Sequence, residues 1–160
     1  MARNRQAHEL NRFGLFGLIP LVVAAAALWL SPALLPQYIA LDFHQIALAA
    51  GTVFVIFFAG AGMGTMLGTN KNGSVVPNLL ITLVAFFAII PNGVFFLTLG
   101  AAQRHFIILV LMVYLLVRDL AWVSNGSAPK WYGTLRIRLT FWAGVSIILI
   151  ISRLLLWGYY

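Results

Sequence analysis

The sequence contains no cysteine and only three acidic residues, Glu9, Asp42 and Asp119. The first absence removes disulfides, thiolate metal sites and cysteine nucleophiles together. The second disfavours a proton or ion carrier, which places carboxylates within its membrane spans, whereas these three fall near predicted helix boundaries. Charged residues of both signs make up 8% of the chain and hydrophobic residues 62%, too little polar material to cover a water-soluble globule. Catalytic patterns are missing as well: there is no H-E-x-x-H, no glycine-rich phosphate loop and no serine, histidine and aspartate set for nucleophilic attack. No catalytic residue, metal ligand or cofactor is therefore expected, and the chain reads as a non-enzyme. His44 falls in a predicted outer loop with Asp42, where a lone histidine is more often interfacial than a ligand. Bis-imidazole haem would need a facing histidine, and His105 is the sole candidate on that side.

What the sequence does contain is apolar runs of about 20 residues, enough to cross a hydrocarbon core of about 30 Å. They predict an all-α membrane bundle, one transmembrane domain over residues 1–160, with five spans at about 13–35, 45–67, 75–100, 103–122 and 137–157. The basic stretch from Arg3 to Arg12 leads into an apolar run too long for a signal-peptide core, so it reads as the first anchor. Between spans two and three the run Gly68 to Gly73 is rich in turn formers. Pro91, Asn92 and Gly93 could end the third helix early. Continuing it across a kink to about Gly100 is preferred, because that brings Arg104 to the interface and avoids about 3 kcal/mol or more for a cation at mid-bilayer.

The net charge of +7 points to lipid rather than nucleic acid, because the cations flank apolar spans. Arg3, Arg5, Arg12, Lys71, Arg118, Lys130, Arg136 and Arg138 share one side of the five-span layout, and Arg104 and Arg153 the other. The positive-inside rule then puts the N-terminus in the cytoplasm and the C-terminus outside. Trp29, Trp122, Trp131, Trp157, Tyr159 and Tyr160 fall near predicted boundaries, as amphipathic rings at headgroup level do, while Trp142 lies one turn further in.

Two groups of residues stand out. Gly60, Gly64 and Gly68 recur every fourth residue on the second helix, which lets a neighbouring backbone approach closely. Packing within the chain is the favoured use of this face; a partner protein or a pigment is the other. Lys130, Trp131, Tyr132, Arg136 and Arg138 form a basic, aromatic collar, worth about 1 kcal/mol per cation toward anionic lipid. It reads first as a topology anchor and, in a sharper form, as a pocket for a cardiolipin or phosphatidylglycerol headgroup.

The segment Pro129 to Thr140, PKWYGTLRIRLT, resembles the signature of the domain-of-unknown-function 3429 family, small five-span proteins of bacterial inner membranes that include the mitochondrial transmembrane protein 69. The family pattern is a proline, an aromatic pair and L-R-x-x-L-T, matched by Pro129, Trp131, Tyr132, Leu135, Arg136, Leu139 and Thr140. The opening Leu15 to Pro20 and the glycine-rich second helix also fit. The chain departs from the pattern where the family often carries His-Trp-Gly, having Gly62, Met63 and Gly64 instead. The resemblance implies a fold and a bacterial inner-membrane location, and no reaction.

Short loops, few ionisable groups and a glycine face together lead to the expectation of a structural or assembly subunit of a larger inner-membrane complex, energy-transducing (respiratory or photosynthetic), with other integral membrane subunits as partners. The alternative is a small transporter or lipid-binding protein acting alone, for which Thr52, Asn78, Thr82, Thr98 and Ser146 would have to converge at mid-depth.

Overall fold

The computed structural model describes residues 2–68, 75–91 and 98–158, with the side chains of 2–11, 13 and 65–68 excepted. Among the described residues there are five α-helices and no strand: α1 (Ala2–Leu30), α2 (Gln37–Gly68), α3 (Val76–Ile89), α4 (Ala101–Ser124) and α5 (Lys130–Leu156). α2, α4 and α5 are long and apolar enough to cross a bilayer, which marks the chain as a membrane protein. α1 contributes a shorter apolar stretch, Gly14–Leu30, and α3 is shorter still.

Three boundaries differ from the sequence expectation. The predicted first loop, Gln37 to His44, is the opening of α2: Ala40 donates its N–H to the Pro36 carbonyl at 3.2 Å, and Ala40 and Ala47 lie on one buried face. The predicted loop from Ser124 to Leu135 is short, and α5 already begins at Lys130. The third helix stops at Ile89 instead of reaching Gly100. Pro91 has no N–H to donate, and it holds Ile90 in an extended conformation (φ −63°, ψ 131°). α4 then starts at Ala101, where the Gln103 side chain accepts the Gly100 N–H at 3.1 Å, and Arg104 lies in the first turn as expected.

α1, α2, α4 and α5 form a four-helix ring in which each packs on two others, while α3 lies outside it against α2 and α4. Cross-helix contacts set the directions. Gly14 meets Leu139 and Arg153 reaches the end of α1, so α1 and α5 run parallel; Gly51 meets Ile108 and Gly62 meets Trp122, so α2 and α4 run parallel as well. The core face of α5, Leu139, Ala143, Ile147, Ile150 and Leu154, follows the three- and four-residue spacing of one helix stripe. Alanines at 24, 40, 47, 59, 85 and 143 are fully buried and let the backbones close on one another. Large apolar side chains such as Phe16, Val53, Phe57, Phe106, Val117, Phe141 and Trp142 face outward, an arrangement suited to lipid. The bundle thus has an α4–α5 end, where α4 turns into α5, and an opposite end, where α1 finishes and α2 and α4 begin.

A buried arginine–aspartate network and an open glycine face

The α4–α5 turn builds the principal polar site. α4 ends as Asn125 donates to the Ala121 carbonyl at 3.1 Å, and Gly126 takes φ +70°, a left-handed conformation that glycine adopts without strain. The N–H groups of Ser127 and Ala128 fold back onto the Trp122 carbonyl at 2.9 and 3.2 Å. α5 therefore returns directly beside α4, and Asp119 and Arg136, at equal distances along the chain from this turn, come face to face.

Asp119 is fully buried and gathers three partners. Arg118 donates to Oδ1 through Nη2 at 2.9 Å and Nε at 3.2 Å. Tyr132 donates its hydroxyl to Oδ2 at 2.9 Å, and Arg136 brings Nε to 2.7 Å from the same oxygen. That last contact is ionic rather than a directed hydrogen bond, since the Nε and Nη2 hydrogens of Arg136 meet no aligned acceptor. Two guanidiniums against one carboxylate leave a surplus positive charge in a medium that screens poorly. The surrounding groups absorb it. Arg118 also donates to the Asn78 side-chain oxygen on α3 and to the Phe58 carbonyl on α2 (3.3 Å), and its guanidinium lies 4.4 Å from the centre of the Trp122 ring. Arg136, only 1% exposed, stacks 3.5 Å from the centre of the Phe58 ring. One carboxylate thus joins α4 to α5 and, through Arg118, to α2 and α3.

This geometry redistributes the predicted collar. Arg136 and Tyr132 turn inward to Asp119, while Lys130 and Arg138 remain exposed and Trp131 is half-buried. Arg136 is therefore no headgroup contact: the buried carboxylate of Asp119 draws it inside. The sequence alone did not bring Arg136, Tyr132 and Asn78 to Arg118 and Asp119. The available signal was the single acid among four basic residues around a hairpin turn, with Arg136 at the matching position on the returning helix.

The glycines of α2 divide in the same way. A Cβ on Gly62 would come within 2.9 Å of both the Arg118 guanidinium carbon and the Trp122 ring, so the absence of a side chain there is what admits the arginine. Among the described residues nothing lies within 4 Å of a Cβ position on Gly60 or Gly64, and both face out of the bundle beside the exposed Val53, Phe57 and Ala61. The packing of Gly68 lies outside the described residues. Among the described residues the expected internal packing is seen at Gly62 and not at Gly60 and Gly64, because α4 approaches α2 on the Gly62 side.

At the opposite end Arg153 of α5 donates through Nε to the Leu28 carbonyl at 3.1 Å and through Nη2 to the Ser31 carbonyl, at the end of α1. Trp157 lies 4.8 Å from its guanidinium and Trp29 5.5 Å. His44 of α2 and His105 of α4 also meet here, with ring centres 5.7 Å apart. Of the polar residues weighed for a transport path, Thr52, Thr82 and Ser146 each donate to the carbonyl four residues back in their own helices.

Residues 7–152 match the family described as protein of unknown function, DUF3429. The chain belongs to that family. No curated protein and no solved structure matches it at a significant level. The DUF3429 signature seen in the sequence falls on the network just described: Tyr132 and Arg136 hold Asp119, and Leu135, Leu139 and Thr140 are buried on the same face of α5.

Proposed function

We propose that this DUF3429 protein is a non-catalytic integral subunit or assembly factor of a larger complex in the bacterial inner membrane, docking through the outer face of α2. The observation that carries this reading is the open glycine pair. Gly60 and Gly64 expose backbone at the spacing that allows a second helix to approach closely, and none of the described residues fills the space. The polar interior supports the same reading, since its charges are engaged by one another and by backbone rather than lining a path. The host class is an energy-transducing assembly, respiratory or photosynthetic.

In this reading the chain crosses the membrane five times with the α4–α5 end in the cytoplasm. α3 begins beside the end of α4 and α4 begins at the opposite end, which supports a further crossing between the two starts. The exposed Lys130 and Arg138 at the cytoplasmic end are then the groups that remain available to anionic lipid such as cardiolipin or phosphatidylglycerol.

Extraction in mild detergent followed by size analysis tests the docking. The wild-type chain should co-migrate with other integral membrane proteins, and Gly60→Leu with Gly64→Leu should release it as a free particle that remains folded. A lone 17.6 kDa chain in its micelle, or a dimer of this chain alone, from the wild type contradicts the proposal. Orientation has its own test, because the native chain has no cysteine to interfere. Single cysteines at the two ends of the chain should differ in labelling by an impermeant maleimide, with only the C-terminal one reacting in intact cells.

A further inference from the structure

The histidine pair at the opposite end is used by neither the arginine network nor the glycine face. His44 lies one turn above Ala47 on α2 and His105 in the second turn of α4, both buried where the parallel helices α2 and α4 meet. The Nδ1 of His105 is 2.9 Å from the Ala101 carbonyl and that of His44 contacts the Leu41 carbonyl. A carbonyl only accepts, so in each neutral ring Nδ1 carries the proton and Nε2 keeps its lone pair. Because Nδ1 turns back to its own helix, Nε2 points away from that helix. His105 is 1% exposed, and its Nε2 is buried without an aligned hydrogen-bond partner among the described residues. A bare acceptor is costly when buried unsatisfied. Holding Nδ1–H on a carbonyl while Nε2 stays bare is the arrangement that orients histidine as a metal ligand.

We propose that His44 and His105 bind one copper(I) ion through their Nε2 atoms. With metal–nitrogen bonds of about 2 Å, two imidazoles on one ion have ring centres at most about 6 Å apart, and 5.7 Å falls just inside that limit. Among the described residues no third histidine, cysteine, aspartate or glutamate joins the pair, so the ion must be satisfied by two ligands. Copper(I) accepts two imidazoles as its whole ligand set, here as a bent pair at the 5.7 Å ring spacing; structural zinc takes four ligands. Charge selects the same ion. Both ligands are neutral, Arg104 lies one residue from His105, and the desolvation cost of a bare ion rises with the square of its charge, so a monovalent cation is favoured over a divalent one. Asp42, exposed two residues from His44, offsets Arg104 at the rim.

The test is anaerobic titration of the purified full chain, reduced with ascorbate, against a chromogenic copper(I) chelator, together with X-ray absorption on the loaded protein. One equivalent bound, with two nitrogen scatterers and no sulfur, is the expected result. His44→Gln and His105→Gln should each abolish the tight equivalent, whereas His8→Gln and Asp42→Asn should retain it. Size-exclusion and circular dichroism profiles matching wild type establish that the variants are folded. If they are not, the wild-type absorption spectrum decides alone. No tight equivalent in the wild type, retention in the folded double variant, sulfur ligation, or stoichiometric zinc in preference to copper(I) overturns the assignment.

Discussion

The two ends of this bundle bury arginine by different means. At the α4–α5 end, Arg118 and Arg136 share Asp119, and four helices are tied through one carboxylate. At the opposite end, Arg153 has no carboxylate among its hydrogen-bond partners in the described residues and is held by the Leu28 and Ser31 carbonyls, where the free backbone acceptors and negative dipole of α1 are concentrated. A chain with three acidic residues can neutralise few buried cations directly. One carboxylate serves where two guanidiniums cross helix interfaces, and backbone serves where a helix end is already at hand.

The sharpest break in this comparison is Asp119→Ala. It leaves two buried guanidiniums without a counter-charge and should destabilise the folded bundle by about 3–5 kcal/mol, read as a lower midpoint in unfolding by SDS. Adding Arg136→Met to Asp119→Ala should recover part of that loss, since an uncompensated charge is removed along with its partner; a double variant as unstable as the sum of the two singles contradicts the pairing. Tyr132→Phe keeps the ring and removes one hydrogen bond to a charged acceptor, so a loss of about 1.5–3 kcal/mol is expected. Gly62→Ala should cost about 1–3 kcal/mol by pressing on Arg118 and Trp122, while Gly60→Ala, on the open side of the same helix, should leave the midpoint of the isolated protein nearly unchanged. Arg153→Gln should have the smallest effect of the charge changes, about 1 kcal/mol, because an amide can still donate to one of the same carbonyls.

The helical class and the membrane setting were legible in the sequence because length and hydropathy of the runs decide both. Family membership was legible from the Pro129 to Thr140 signature. The helix ends were less so: hydropathy marks the part of a helix that lies in lipid, and α2 and α5 each extend beyond it through Tyr38 to His44 and through Lys130 to Arg136. The same limit hid the site. Taken as a loop, the stretch around Arg136 looked like a headgroup collar; as the first turns of α5 it faces α4, and Asp119 captures it. His44, placed in a loop by hydropathy, is helical and meets His105 across the α2–α4 contact. Gly60 and Gly62 could not be separated by spacing alone, because which side of α2 faces α4 depends on the register between the two helices.

The measurement closest to the central claim is site-specific photocrosslinking in intact membranes, with a benzoylphenylalanine placed at Ala61 between the two open glycines and, as a control, at the exposed Val113 of α4. Crosslinks from position 61 to a different integral membrane protein, absent from position 113, are the predicted result. Lipid adducts alone from both positions, or crosslinks only to a second copy of this chain, would contradict a face built for a host complex.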